Sequence, residues 1–325
     1  MEPHHHSTES PDPLRGLLEE EISLLRECYR RGLPDTLAPF LFLDTHLRWV
    51  EKLRQNSQEG PVAVSPILWK RFYTLAATDR EELTTAGTFV AITEAEQCPT
   101  VVFWTLCDDL SPLKRALTET IHISWKSDPA FSCVALEHYP MVQSVLQQKA
   151  PHLVFRHSTF FRLPRPTARA MQFSVPDGYE LLALDESHAA EVNATWPHRF
   201  AGSEEYYRSL FRLNGGLAVA ECTQQSASGR DGQRQRQLAG WILTNEYGAL
   251  AHLYIQPAHR QRGLASVLAK AWSLRCTEAF EGDISAEGAE VIAYILDVNL
   301  PSRALFQKLG FIEMFKSRWS NPTTK

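Results

Sequence analysis

The stretch Ala249-Leu-Ala-His252-Leu-Tyr-Ile255-Gln-Pro257-Ala-His259-Arg260-Gln261-Arg262-Gly263-Leu264-Ala265 decides how the rest of the chain is read. Ala249–Ile255 is an apolar and aromatic run that predicts a strand, closed by Pro257. From Arg262 to Phe280 the spacing of Leu264, Val267, Leu268, Ala271 and Leu274 predicts a helix with one apolar face. The start of a helix leaves backbone N–H groups without intrahelical partners, and the helix dipole adds partial positive charge there. Together these favour an anion such as a pyrophosphate. Gly263 has no Cβ and lets backbone come close to a ligand. Arg260 and Arg262 oppose the dipole where they stand, which makes sense if an anion is to lie among them. An ordinary strand–turn–helix satisfies the same residues, so both readings stand at this point.

Downstream, Glu281–Glu290 is Gly- and acid-rich and breaks the helix, after which Val291–Asp297 reads as a strand, Ser302–Leu309 as a helix and Phe311–Trp319 as a strand. Upstream, Tyr179–Leu184, Leu217–Cys222 and Leu238–Thr244 read as strands, and Ser187–Thr195 and Glu204–Leu213 as helices. The polar segment Thr223–Gln237 is expected to be a long exposed loop. Leu163-Pro-Arg-Pro166-Thr167 is the linker candidate, because each proline restricts the residue before it. Before it, Leu17, Leu18, Ile22 and Leu25 begin a helix, and Met141–Lys149 is another. Thr88–Thr93, Thr100–Leu106, Ile121–Trp125 and Phe131–Leu136 read as strands. Residues 1–16 read as a loose, disordered tail. The expected organisation is two mixed α/β domains, 17–162 and 176–325.

Of the 325 residues 44% are apolar, enough for packed cores and against wholesale disorder. Thirty-three basic against 38 acidic side chains give a net charge of −5, which argues against broad nucleic-acid binding. No run approaches the ~20 apolar residues that cross a bilayer, so a soluble protein without a membrane partner is expected. The acidic start, with Glu19, Glu20 and Glu21, has neither the apolar stretch of a secretory signal nor the arginines of a mitochondrial presequence. Cys28, Cys98, Cys107, Cys133, Cys222 and Cys276 are scattered without a closely spaced pair, which points to reduced thiols in an intracellular protein and to no metal site. His4, His5 and His6 are expected to be part of the tail rather than metal ligands.

Arg260-x-x-Gly263-x-Ala265 resembles the acyl-CoA pyrophosphate loop of the GNAT acyltransferase superfamily, Arg/Gln-x-x-Gly-x-Gly/Ala. Thirty-six residues after Gly263, Asn299-Leu-Pro-Ser302-Arg-Ala-Leu305-Phe306-Gln-Lys308-Leu-Gly310-Phe311 resembles its second signature. There Asn and a small residue open a helix and Gly-Phe closes it. Leu184–Trp196, followed by an aromatic-rich helix, looks like the start of the C-terminal domain of glycine N-acyltransferases. This narrower resemblance implies an α/β (α+β) chain of two domains. The second would be a GNAT fold with a mostly antiparallel mixed sheet, the first a degenerate relative. It also implies acyl transfer from acyl-CoA, as co-substrate, to the amine of a small acceptor such as glycine. By superfamily spacing the thioester carbonyl would lie at the Leu253, Tyr254 and Ile255 backbone. The nucleotide end would lie at Arg260, Gln261, Arg262, Gly263, Leu264 and Ala265, and the pantetheine arm at Asn299, Ser302 and Phe306. The resemblance also suggests mitochondria, whereas the acidic N-terminus favours the cytoplasm, which is the expected location.

Two residues depart from the superfamily pattern. Its general base, fourteen residues before the loop glycine, is Ala249 here, and its tyrosine acid is Phe306. A base contributes typically about 10²–10⁴-fold, so Ala249 is the heavier loss. Ala251 is the next residue on the face of Ala249, and simple alternation puts His252 on the opposite face. Glu246, at the strand end, and His198, after Trp196-Pro197, are therefore the candidate catalytic residues, with Tyr206 and Tyr207 as pocket walls. The competing reading is a CoA-binding, catalytically weakened relative that serves as a binding or regulatory module.

Overall fold

Two sheets carry the chain, and the strand that ends the first half is built into the sheet of the second. The computed structural model describes residues 11–56, 64–93, 95, 99–223, 235–280 and 288–321. The first sheet runs β1 (Leu14–Gly16), β2 (Lys70–Leu75), β3 (Phe89–Thr93), β4 (Thr100–Trp104), β5 (Ala130–Phe131) in that order. Around it lie α1 (Glu19–Arg30), α2 (Leu37–Asn56), α3 (Arg80–Ala86), α4 (Ser111–Glu119) and α5 (Tyr139–Lys149). The remaining strands are β6 (Val134–Ala135), β7 (Val154–Leu163), β8 (Tyr179–Ala183), β9 (Gly216–Thr223), β10 (Gln235–Thr244), β11 (Ala249–Ile255), β12 (Val291–Leu296) and β13 (Ile312–Asn321). They form an eight-stranded sheet ordered β6-β13-β7-β12-β11-β10-β9-β8. Its helices are α6 (Arg165–Arg169), α7 (Ala189–Ala194), α8 (Ser203–Leu213), α9 (Leu264–Glu278) and α10 (Leu300–Lys308).

Each sheet has a single parallel pair in an otherwise antiparallel ladder, β4 with β5 and β11 with β12. Each parallel pair needs a crossover, and the two crossovers carry α4 and α9, so the two halves repeat one plan. They are also stitched together. β7 pairs with β12 from Val291↔Leu163 to Leu296↔Ser158, and with β13 along its whole length. β13 continues to β6 of the first half, and its Ser320 hydroxyl accepts the Phe131 N–H of β5. Ser158–Phe161 are buried on both faces of the sheet, as an internal strand requires. A core of α1, α2 and β2–β4 side chains takes in Phe160, Tyr247, Ala249 and Ile292 of the second sheet.

Several sequence expectations change here. Leu14–Gly16 is not tail: it pairs with β2, and the Asp12 carboxylate accepts from the Thr120 hydroxyl and the Ile121 N–H. Ile121–Trp125 is not a strand but a turn running into a short 3₁₀ segment, with Ile121 83% exposed. Phe131–Leu136 is broken into β5 and β6, which belong to different sheets. The proline-rich linker is itself ordered as α6, with Ala168 buried. His4–His6, Cys98 and residues 224–234 of the polar loop lie outside the described residues. Among the described residues no helix is long and apolar enough to cross a membrane.

Candidate active site

β11 and β12 share only two paired positions, Ala249↔Ile292 and Leu250↔Ala293, and then diverge. On its other edge β11 remains paired with β10 as far as Gly240↔Ile255. Past Leu250 the backbone edge of β11 facing β12 therefore has no strand partner among the described residues, and its polar groups open into a wedge-shaped gap. Gly240 is what lets the two strands meet so closely at that end. A Cβ there would stand 2.4 Å from Ile255 Cδ1 and 2.6 Å from Tyr254 O.

The candidate cofactor loop follows β11 directly. Gly263 is the N-cap of α9 and takes the left-handed conformation at φ +78, and no side chain among the described residues caps the helix. A Cβ at Gly263 would meet nothing within 4 Å, so open space lies over the first-turn amides. Gln261 is also left-handed, at φ 62. Arg260 donates to Ile255 O at 3.1 Å, and Arg262 donates to Tyr179 Oη at 2.6 Å. Tyr179 is in turn hydrogen-bonded to the buried His259, at 2.9 Å. Both arginines are exposed, and these bonds tie Arg260 to the end of β11 and Arg262 to Tyr179 of β8, which keeps their charge near the helix start. Asn299 caps α10, its Oδ1 accepting from Ser302 N at 3.3 Å. Phe306 lies in the core, 4% exposed, with its ring 4.7 Å from that of Phe311. Leu264 is likewise a core side chain and offers the loop only its backbone.

At the other end of the gap is a cavity of about 320 Å³. Leu250, Ala251 and His252 of β11 and Tyr294 and Leu296 of β12 form one side of it, and Arg156 and Ser158 of β7 another. Glu246 and His198 both line it, so the structure brings the two candidate residues into one space. Glu246 is 7% exposed and its Oε2 accepts from Tyr206 Oη at 2.6 Å. Burial, then the Glu246 charge, hold the Tyr206 phenol well above its ordinary pKa, so it stays a donor. The turn bearing Glu246 is braced from several sides. Asn245 Oδ1 accepts from Tyr247 N and Ala249 N, both at 3.1 Å, and Asn214 Nδ2 donates to Thr244 O and Asn245 O. Asn214 Oδ1 is held by Trp49 Nε1 of α2, 2.6 Å away. A first-half helix therefore sets the position of a second-half carboxylate.

His198 sits at the exposed rim, where burial and the nearby Arg156 charge lower its pKa. Arg156 is half-buried and makes no ion pair among the described residues. His252 corrects the sequence reading. Between the pairs Leu243↔Ala251 and Trp241↔Tyr254, β10 has one residue and β11 has two, so β11 carries a bulge. His252 occupies it at φ 54, and alternation fails there: Ala251 and His252 both line the cavity. Its Nδ1 lies 2.6 Å from Tyr207 Oη, and its ring packs edge-on to Trp196 and Tyr207. Burial, then the His198 charge, lower its pKa to about 4, leaving the imidazole neutral at neutral pH. Among the described residues no group of three or more His, Cys, Asp or Glu is arranged to hold a metal ion.

A family model described as FR47-like protein matches residues 229–320, and one described as a domain of unknown function (DUF5645) matches residues 13–145. No curated protein matches the chain. Among solved structures, a Drosophila protein is 24% identical, covers 96% of this chain and 100% of its own, and superposes with a TM-score of 0.80. A tandem GNAT protein from the clavulanic acid biosynthesis pathway is 14% identical over 96% of this chain and 98% of its own, with a TM-score of 0.53. A GCN5-related N-acetyltransferase from Sphaerobacter thermophilus is 12% identical over 96% of both chains, at 0.53. The repeated sheet plan, the strand gap beside an uncapped helix and these likenesses agree: the chain has the GNAT acetyltransferase fold, in two GNAT-like domains.

Proposed function

We propose that the chain transfers an acyl group from acyl-CoA to the amine of a small acceptor, an amino acid such as glycine, as the resemblance to glycine N-acyltransferases implies. The observation that carries this reading is continuity. One strand, β11, leads from the Glu246 cavity along an open backbone edge to an uncapped helix start flanked by Arg260 and Arg262. The pyrophosphate binds at Arg260–Ala265, the pantetheine runs between β11 and β12 past Asn299 and Ser302, and the thioester reaches the Leu253–Ile255 backbone, whose N–H groups stabilise the oxyanion. Arg156 supports an amino acid as acceptor, since a half-buried guanidinium with no ion pair among the described residues suits a carboxylate. Glu246 receives the ammonium and draws off its first proton through water, with His198 at the entrance. Phe306 supplies no acid, and a thiolate of pKa near 8.5 leaves without one.

The test is release of free CoA thiol from a panel of acyl-CoAs, acetyl to benzoyl and long-chain, with and without amino acids. Release that needs both partners is the expected result. CoA binding without release would favour a binding module. Glu246→Gln is expected to lower kcat about 10²-fold with acyl-CoA affinity retained, and wild-type rates in both Glu246→Gln and His198→Ala would remove these two residues from the mechanism.

A further inference from the structure

Amide formation from an ammonium sheds two protons, and they leave at different moments. The first must go before the nitrogen has a lone pair with which to attack. The second leaves after the C–N bond has formed, from a nitrogen that is now positively charged in the tetrahedral adduct. Glu246 has one oxygen committed to Tyr206, and the family's base position is the buried Ala249. The other cavity group that bears a lone pair and lies on β11, the strand that holds the thioester in the proposed reading, is the imidazole of His252.

We infer that His252 is a catalytic residue and takes the second proton, through Nε2, from the adduct nitrogen; this rests on the acyltransferase reading. The bulge is the device. It turns His252 into the cavity beside Ala251 and costs a left-handed backbone at a residue other than glycine, a conformation that His tolerates better than most. Backbone strain of this kind persists only where the surroundings over-determine it, as Tyr207, Trp196 and the β10 ladder do here. Acceptance at Nε2 requires the tautomer in which Nδ1–H donates to Tyr207 Oη. The charged and titratable groups around the ring are Glu246, His198, Arg156, Tyr206 and Tyr207. In the step itself the amine nitrogen bonds to the thioester carbon, its N–H proton passes to Nε2, and the oxyanion collapses as the C–S bond breaks. The thiolate keeps that electron pair and is protonated by solvent. A weak base suffices, because the adduct nitrogen is far more acidic than a free ammonium.

The experiment uses the full chain carrying His252→Gly, which adopts φ 54 without strain and leaves a ring-sized space. Expected are acyl-CoA affinity within about twofold of wild type by calorimetry and a kcat lower by about 10²-fold or more. Added imidazole, but not a non-basic azole of the same shape, should restore the rate in proportion to its concentration. A purely structural role would not produce rescue that tracks basicity. Wild-type kcat in His252→Gly, or a loss that imidazole does not repair, overturns the inference. A wild-type protein that binds acyl-CoA but releases no thiol with any amine defeats the acyltransferase reading itself, and this inference with it.

Discussion

The two halves build the same gap and furnish it with opposite chemistry. In the first, β4 and β5 share two paired positions, Thr100↔Ala130 and Val101↔Phe131, and α4 follows β4 just as α9 follows β11. The connecting residues there are Leu106-Cys107-Asp108-Asp109-Leu110, where the second half has His259-Arg260-Gln261-Arg262-Gly263. Asp109 Oδ1 accepts from Ser111 N at 2.9 Å, and hydrogen bonds from Ser111 hold its carboxyl below the ordinary range. Leu110 before α4 is right-handed, whereas Gly263 before α9 is left-handed. The cavity beside the first gap, about 600 Å³, has Asp35, Asp108 and Glu137 in its wall, along with His138 and mainly apolar residues such as Trp104 and Phe315. A helix start that already holds its own carboxylate, beside further acids, repels a pyrophosphate; one left uncapped between two arginines attracts it. In the proposed reading, topology supplies a site and the loop charge decides whether an anion enters it.

Reversing the charge is therefore the strongest way to break the comparison. Arg260→Glu with Arg262→Glu is expected to weaken CoA binding by at least about 100-fold, since hydrogen bonds to charged groups contribute about 1.5–3 kcal/mol each. The matching change in the first half, Asp108→Arg with Asp109→Gly, should leave the affinity of the second site unchanged. Calorimetry with CoA reads both. Equal losses from the two pairs would mean that the first gap also takes part in CoA binding.

Buried histidines give the next effect and link the halves in another way. Burial lowers His46 to about 3 and His138 to about 4 in the first half, and His252 to about 4 in the second. Each binds a proton more readily unfolded, near pH 6.5, than folded. The stability they contribute is complete above about pH 6.5 and is lost as pH falls toward 4, by about 1.4 kcal/mol per unit for each group. The expected result is a Tm that declines between pH 6.5 and 4.5, above the range in which carboxylates titrate. Saturating CoA should raise Tm without changing that slope, and a Tm flat across the window would contradict the burial of these rings.

What was legible in the sequence follows the same division between local and distant causes. β11 was readable at its true bounds, because an apolar run ends at a proline and a glycine. α2 was not, since Leu37–Leu43 are all buried and show no single apolar face for a period to reveal. The insertion of β7 between β12 and β13 depends on partners more than 120 residues away, which no local pattern encodes. Glu246 and His198 are readable as polar residues flanking a motif, and both line the cavity. Alternation puts His252 on the wrong face, because it assumes an unbroken ladder and the bulge breaks it.

A smaller change brings the second loop closer to the first. Gly263→Ala forces a Cβ into a left-handed backbone, which costs roughly 1–2 kcal/mol, and places that Cβ in the open space over the first-turn amides. CoA affinity should fall about tenfold, with Tm lowered by a few degrees. Unchanged affinity would show that the amides of this turn do not hold the anion.

The gentlest test asks whether freeing the Ser111 amide from Asp109 is enough to recreate the site. Asp109→Ala frees the Ser111 amide at the start of α4, a bond made at the surface, and should lower stability only slightly. The expected change in Tm is correspondingly small. CoA affinity should not change, because the second loop keeps its arginines and its glycine. Inorganic phosphate separates the two ingredients. If an uncapped helix start is sufficient, phosphate will stabilise Asp109→Ala more than the parent protein. If loop charge decides, as the comparison of the halves argues, Asp108 and the neighbouring acids still exclude the anion, and phosphate will raise the Tm of both proteins equally.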